Sequence, residues 1–283
     1  MADAVKEAVG VIGVGRMELS LVPPLRRHGY AVTAYDIDPA QRAAAAAAGA
    51  QILDAPAQVG AAVRFVIIAV GYDDEVREVM LGKAGLLESL GAGAAVAVSS
   101  TCTPEHIRAL AETARARGVD LFDAPICRGA RAADEGTMLA LVGGSVESFE
   151  RALPIYRSFC ANVAHLGDVG AGQFGKAINN YLLWVNGVAL IEAGRLSEAN
   201  GIDLARLREA LLLSSGASDA LKNWENVSFI WALKDMQIVM KLADQAGLAL
   251  PLAGSIKELV KDGLRTKRGN PPDWMGSRQR SSQ

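Results

Sequence analysis

The chain has 283 residues, 51% hydrophobic and 21% charged, which suits one large or two ordinary folded domains and excludes a disordered polypeptide. Its 29 basic and 31 acidic residues leave a net charge of −2, so no electrostatic case exists for nucleic acid or an anionic membrane surface as a partner. No apolar run approaches the ~18 residues of a membrane span, and Cys102, Cys127 and Cys160 form neither a CxxC pair nor an even disulfide framework, which points to a reducing cytoplasm.

The first apolar run, Ala8–Ile12, reads as a buried strand. Acidic Asp3 and Glu7 precede the apolar stretch Val9–Val14 and Arg16 and Glu18 follow, so that stretch is better read as this strand than as a signal core. Gly13 and Gly15 then supply the first two glycines of a G-x-G-x-x-G turn, with Arg16 and Met17 between them and Glu18. In such a turn the first glycine permits a sharp bend, and the second lets a pyrophosphate approach the backbone at a helix N-terminus. Glu18 stands where a third glycine normally allows close helix–strand packing. The next strand, Ala31–Tyr35, runs into Asp36, an acid placed to accept hydrogen bonds from an adenosine ribose and to repel a 2′-phosphate. The expected cofactor is therefore NAD, with NADP possible.

Further strand-like pieces follow at Phe65–Val70, Ala94–Val98, Leu121–Ala124, Met138–Val142 and Val163–Leu166. Helical stretches at Pro39–Ala48, Glu75–Leu81, Glu105–Arg117 and Val146–Phe159 separate most of them. That alternation predicts an α/β fold, a doubly wound and mostly parallel sheet with helices on both faces. His28, His106, His165 and the cysteines make no metal-ligand pattern. From Gly172 onward strand signals stop. Phe174 to about Asn200 reads as one helix of roughly 40 Å, and others follow at Leu204–Leu213, Ile230–Ala246 and Leu252–Leu264. The expected division is a dinucleotide-binding domain over 1–168 and an all-helical domain over 169–283. The tail from Asn270, rich in Pro, Ser, Gln and Arg, is expected to be poorly ordered. Leu182, Leu183, Trp184, Val188, Leu190 and Ile191 give the long helix more apolar surface than a small helical domain can cover, which predicts a homodimer or homotetramer.

On that helix Lys176 precedes Asn180 by about one turn, directly after the glycines at 170, 172 and 175. An ammonium and a carboxamide so spaced share one face. Held out of water, a lysine can give or take a proton while the amide orients an oxygen beside it.

Taken together, four motifs in order resemble the β-hydroxyacid dehydrogenase family, whose members include 3-hydroxyisobutyrate dehydrogenases and tartronate semialdehyde reductases. They are GVGRME, the segment DAPICRGARAADEGTM at Asp123–Met138, GAGQFGKAINN through Gly170, Gly172, Lys176 and Asn180, and KDM at Lys234–Met236. The resemblance spans about residues 8–265. It implies Lys176 as the acid/base on the substrate oxygen, Asn180 as a substrate contact, and Lys234 and Asp235 near the cofactor. It also places Ser100 and Thr101 of SSTCTP beside the nicotinamide half. Val70, Gly71 and Tyr72 stand where the family often reads L-P-N, so that cofactor wall is altered. His165 matches a family histidine of structural role. The resemblance implies a hydride transfer between nicotinamide and a small 3-hydroxy acid or its semialdehyde.

The substrate loop departs most: Cys127, Arg128 and Gly129 replace a small Ser-Gly-Gly. Arg128 either grips an anionic group of a bulkier substrate or swings out to Asp134 or Glu135. Two rival readings share the scaffold. An imine reductase fits less well because Lys176 is retained, and a non-catalytic nicotinamide sensor would explain the departures as decayed catalysis.

Overall fold

The computed structural model describes residues 6–15 and 18–277, leaving out the side chains of Glu18, Ala130, Arg131 and Asp134. The chain forms two compact units, Met1–Lys176 and Ala177–Gln283.

In chain order the first unit contains β1 (Val9–Ile12), α1 (Val22–Arg27), β2 (Val32–Tyr35), α2 (Pro39–Ala47), β3 (Gln51–Ile52), α3 (Pro56–Ala62), β4 (Phe65–Ile68) and α4 (Asp73–Leu81). It continues with β5 (Ala95–Val98), α5 (Pro104–Arg115), β6 (Asp120–Asp123), β7 (Ile126–Cys127), α6 (Gly129–Glu135), β8 (Met138–Gly143), α7 (Val146–Tyr156) and β9 (Cys160–Gly167). The strands form one sheet in the order β3-β2-β1-β4-β5-β6-β8-β7, with β9 paired to β8. The first six are parallel; β6 and β7 run antiparallel to β8 in one continuous register, Asp123 opposite Gly143 and Cys127 opposite Leu139.

Both faces of this sheet are apolar for a reason visible in the strands. In β4, Phe65 and Ile67 point into one core while Val66 and Ile68 point into the other; in β5, Ala95 and Ala97 alternate with Val96 and Val98 in the same way. Side chains alternate across a strand, so a run without polar positions must be covered by helices on both sides. Strand order reverses at β1, between β2 and β4. Open parallel sheets bind ligands at such a switch point, beyond the carboxyl ends of the strands.

Three expectations need correction. The helix after the glycine turn does not start at once: Glu18–Leu21 is a 3₁₀ turn, and α1 begins only at Val22. Pro23 and Pro24 explain this, since proline lacks an N–H and is tolerated only in the first turn of a helix. Gln51–Ile52, Pro56–Ala62 and the β7–α6 segment, given no element from the sequence, are regular. The tail from Asn270 is not loose up to 277. Trp274 is buried and its Nε1 donates to the Leu190 carbonyl at 3.0 Å, while Pro272 accepts from Trp224 Nε1 at 3.2 Å. Residues 278–283 lie outside the described residues.

Helix α8 (Ala171–Ala199) crosses from the first unit into the second, which continues with α9 (Leu204–Leu211), α10 (Asp219–Lys222), α11 (Ala232–Gln245) and α12 (Pro251–Arg268). Its core gathers Trp184, Val188 and Ile191 of α8 with Trp224, Phe229, Met236 and Val260. Four of the six residues expected to need a partner chain, Trp184, Val188, Leu190 and Ile191, are therefore covered by this unit itself. Leu182 remains about half exposed. Among the described residues no helix is long and apolar enough to cross a membrane.

Candidate active site

The carboxyl ends of β1, β2, β4 and β5 are tied to one another by side chains. Gly13 has a φ of +82°, and a Cβ there would stand 2.2 Å from the Ala69 carbonyl oxygen after β4, so only glycine lets β1 turn at this point. Immediately beyond, the Val14 N–H donates to Asp36 Oδ2 at 2.8 Å, and the Asp38 N–H donates to Oδ1 at 2.8 Å. Asp36 thus braces the glycine turn from the end of β2. Each carboxylate oxygen keeps a lone pair, the pair of acceptors that the hydroxyls of a ribose diol can donate to. The residues present fit the adenosine half of a dinucleotide. Arg16 and Met17, the remainder of the turn, lie outside the described residues, and Gly15 precedes them.

After β4, the Val70 N–H donates to Ser100 Oγ at 2.8 Å and the Gly71 N–H to Glu75 Oε2 at 2.7 Å. Ser100 is buried and Thr101 half-buried, so the loop after β5 is braced by the loop after β4. The altered Val70-Gly71-Tyr72 wall is consequently a defined turn, with Tyr72 exposed at the start of α4.

Lys176 lies in the first turns of α8, half-buried, and its Nζ donates to the Ile126 carbonyl at 2.7 Å. That carbonyl belongs to β7, so the ammonium sits at the root of the Cys127-Arg128-Gly129 loop. Arg128 and Gly129 both have left-handed backbones, φ +83° and +70°. For a residue with a Cβ this conformation is uncommon, and Arg128 adopts it within the loop expected from the sequence to hold substrate. The exposed Arg128 donates from Nη1 to the Thr137 carbonyl at 3.0 Å, bridging the ends of α6. Of the two expected surface partners, Asp134 and Glu135, the first has a side chain outside the described residues. Cys127 is buried in β7; neighbouring Cys160 is pushed up to about 12, first by burial and then by Cys127.

In the second unit, Asn180 is buried, and its Oδ1 accepts from Asn179 Nδ2 at 3.0 Å. Lys234 stands over the Trp231 ring, 5.7 Å from its centroid. Asp235 faces the core of its own unit, accepting from Trp184 Nε1 at 2.9 Å. His165 has Nε2 2.7 Å from the Gly144 carbonyl oxygen and stacks on Phe149, a structural role.

Two residues given no role from the sequence emerge here, although both lie inside its motifs. Asp123 is fully buried, accepting the Gly170 N–H at 2.6 Å and the Gln173 N–H at 2.7 Å, and so satisfies the otherwise unpaired donors at the start of α8. Glycines at 143 and 172 make this approach possible; a Cβ on either would fall within 2.8 Å of an Asp123 oxygen. Gln173 is the second, and its amide faces the loop after β5.

Burial pushes the Asp123 carboxyl from its ordinary 3.8 up to about 6, against the pull of the Gly170 and Gln173 N–H groups and of Arg108. The folded chain therefore holds this proton to a higher pH than the unfolded chain. The resulting stability is fully present below about pH 4 and is lost as pH rises through about 6, a change on the order of 3 kcal/mol. Asp123→Asn does not titrate and should flatten this slope. Thermal denaturation of both proteins between about pH 4 and pH 7 tests it; parallel curves would mean the carboxyl is not perturbed.

Comparison with known proteins agrees with this architecture. The model for the NAD binding domain of 6-phosphogluconate dehydrogenase matches residues 8–167, and that for the NAD-binding region of NADP-dependent 3-hydroxyisobutyrate dehydrogenase matches 170–273. A 3-hydroxyisobutyrate dehydrogenase of Pseudomonas aeruginosa is 35% identical over 213 residues, 75% of this chain and 72% of that protein. A 2-(hydroxymethyl)glutarate dehydrogenase of Eubacterium barkeri is 29% identical over 267 residues, 90% of this chain and 88% of the relative. The solved 3-hydroxyisobutyrate dehydrogenase of Mycobacterium tuberculosis, with L-serine, superposes with a TM-score of 0.83 at 22% identity, covering 94% of this chain and 95% of that one. With the glycine turn, the switch point and both family matches in place, the chain belongs to the β-hydroxyacid dehydrogenase family, NAD(P)-dependent oxidoreductases acting on the CH–OH group of small hydroxy acids.

Proposed function

We propose that this chain interconverts a small 3-hydroxy acid and its semialdehyde, with NAD preferred and Lys176 as the general acid/base. The observation that carries the reading is the Lys176 Nζ bond to the Ile126 carbonyl, which aims one of three ammonium donors at the backbone and leaves two for a substrate oxygen. When bound, the nicotinamide supplies or takes the hydride. Lys176 gives a proton to the carbonyl oxygen as it becomes a hydroxyl, and as a neutral amine takes that proton back in the oxidative direction. Asn180, one helical turn along α8, is proposed to hold the substrate, and the Cys127-Arg128-Gly129 loop to hold its carboxylate. Gly13, Gly15, Arg16 and Met17 are assigned to the pyrophosphate and Asp36 to the ribose. Val70, Gly71, Ser100, Thr101 and Lys234 are assigned to the nicotinamide side.

A screen of 3-hydroxy acids and small semialdehydes, with NAD and NADP in parallel, tests the reading. Binding of NADH without turnover of any of them would overturn it in favour of a sensor.

The substrate class follows the relatives, whose names give a short and a branched dicarboxylic hydroxy acid. Free, buried thiols at Cys102, Cys127 and Cys160 support a reducing compartment, and we assign the protein to the cytoplasm. We also assign it an oligomeric state of at least two. Phe174, Ile178 and Leu182 recur every four residues along α8 and are all exposed, a stripe that a second chain would cover. Light scattering at micromolar concentration should give at least twice the chain mass of 29.7 kDa; a monomer would contradict the assignment.

A further inference from the structure

One side chain in the first turn of α8 reaches across to the loop after β5. Gln173 is 1% exposed. Its Nε2 donates to the Ser100 carbonyl at 2.7 Å, and its Oε1 accepts the Cys102 N–H at 2.9 Å, so the amide grips the loop after β5 through two bonds of opposite polarity. Its own N–H donates to Asp123 at the end of β6. Ser100 carries the constraint onward, its hydroxyl accepting the Val70 N–H after β4. One helical turn beyond Gln173 stands Lys176, bonded to the Ile126 carbonyl. A residue present only to fill space needs no amide here. A side chain of this length with one donor and one acceptor matches the carbonyl and the N–H that this loop presents to it.

We propose that Gln173 is a positioning residue for the reaction, holding the Ser100–Cys102 loop in register with Lys176. Asp123 fixes the backbone of Gln173, and its side chain fixes the loop, so the hydride-side loop and the proton carrier move as one piece. This rests on the reading of Lys176 as proton carrier. A misplacement of about 1 Å between reacting groups can cost about 10²-fold in rate, which sets the scale of the effect.

Gln173→Leu, Gln173→Glu and Lys176→Ala in the full chain form the test. The leucine keeps the volume and removes both bonds. Its kcat should fall about 10- to 100-fold while the KM for NAD stays within about threefold, and the deuterium isotope effect on kcat should rise. In the protein without cofactor, amide exchange at Cys102 should accelerate. A protonated glutamic acid can donate to the Ser100 carbonyl and accept from Cys102, whereas its carboxylate repels that carbonyl. For Gln173→Glu, both the activity relative to wild type and the Cys102 protection should therefore rise as pH falls. Wild type at each pH is the reference, because Asp123 titrates nearby, with Arg108 beside it. A folded leucine variant with wild-type kcat and unchanged Cys102 exchange overturns the proposal, as does a glutamate variant whose ratio to wild type is flat with pH. Loss of turnover in Lys176→Ala beside a wild-type Gln173→Leu would sink the positioning role alone. Retained turnover in Lys176→Ala would sink the proton-carrier reading and this one with it.

Discussion

Lys176→Ala is expected to lower kcat by ~10²–10⁴ while leaving NADH binding nearly intact, because a positioned acid/base typically contributes that much to rate. The selectivity of the loss follows from where the side chain goes. Its Nζ bonds to the Ile126 carbonyl in β7, whereas the adenosine-side bonds run from Val14 and Asp38 to Asp36, on other strands. Removing the ammonium leaves those bonds untouched. Stopped-flow turnover together with NADH fluorescence titration separates the two quantities. A variant with wild-type kcat would remove Lys176 from the chemistry, and a parallel loss of NADH affinity would make it a cofactor ligand instead.

Cofactor choice should respond as sharply to Asp36. Wild type is expected to favour NAD over NADP in kcat/KM, since a carboxylate assigned to the ribose hydroxyls would face the added phosphate at short range. Charge-assisted hydrogen bonds contribute about 1.5–3 kcal/mol each, so Asp36→Ala should cost about 10- to 100-fold in kcat/KM with NAD. With NADP the loss should be smaller, because a repulsion disappears along with the contacts, and the preference narrows. Asp36 also braces the glycine turn through Val14. Some loss with both cofactors is therefore expected, and Asp36→Asn, which keeps an acceptor, should show less of it. Equal kcat/KM values for the two cofactors in wild type would refute the assignment.

Much of this architecture could be read locally. Phe65–Ile68 and Ala95–Val98 are apolar at every position, and a strand without a polar face has to be buried on both sides. The glycine turn with an acid at the end of the next strand implied a dinucleotide site, and the apolar stretch from Phe174 to about Asn200 implied one long helix. Such features depend on residues a few positions apart, so pattern alone reveals them. The 3₁₀ start before α1 was also open to view in Pro23 and Pro24, but the glycine motif hid it.

Other features depend on groups that are distant in the chain. Ile126–Cys127 is a strand only because Leu139 and Ala140 pair with it. Trp184, Val188, Leu190 and Ile191 looked surplus to a small domain until the residue-270 segment and α11 covered them. Asp123 and Gln173 carried no visible role, since Asp123 bonds 47 and 50 residues away and Gln173 bonds 71 and 73 residues away. A buried hydrogen bond depends on geometry that composition and periodicity do not encode. Sequence could therefore propose Lys176 and Asp36 as candidates, whereas folding brought together the donors and acceptors that hold each of them in place.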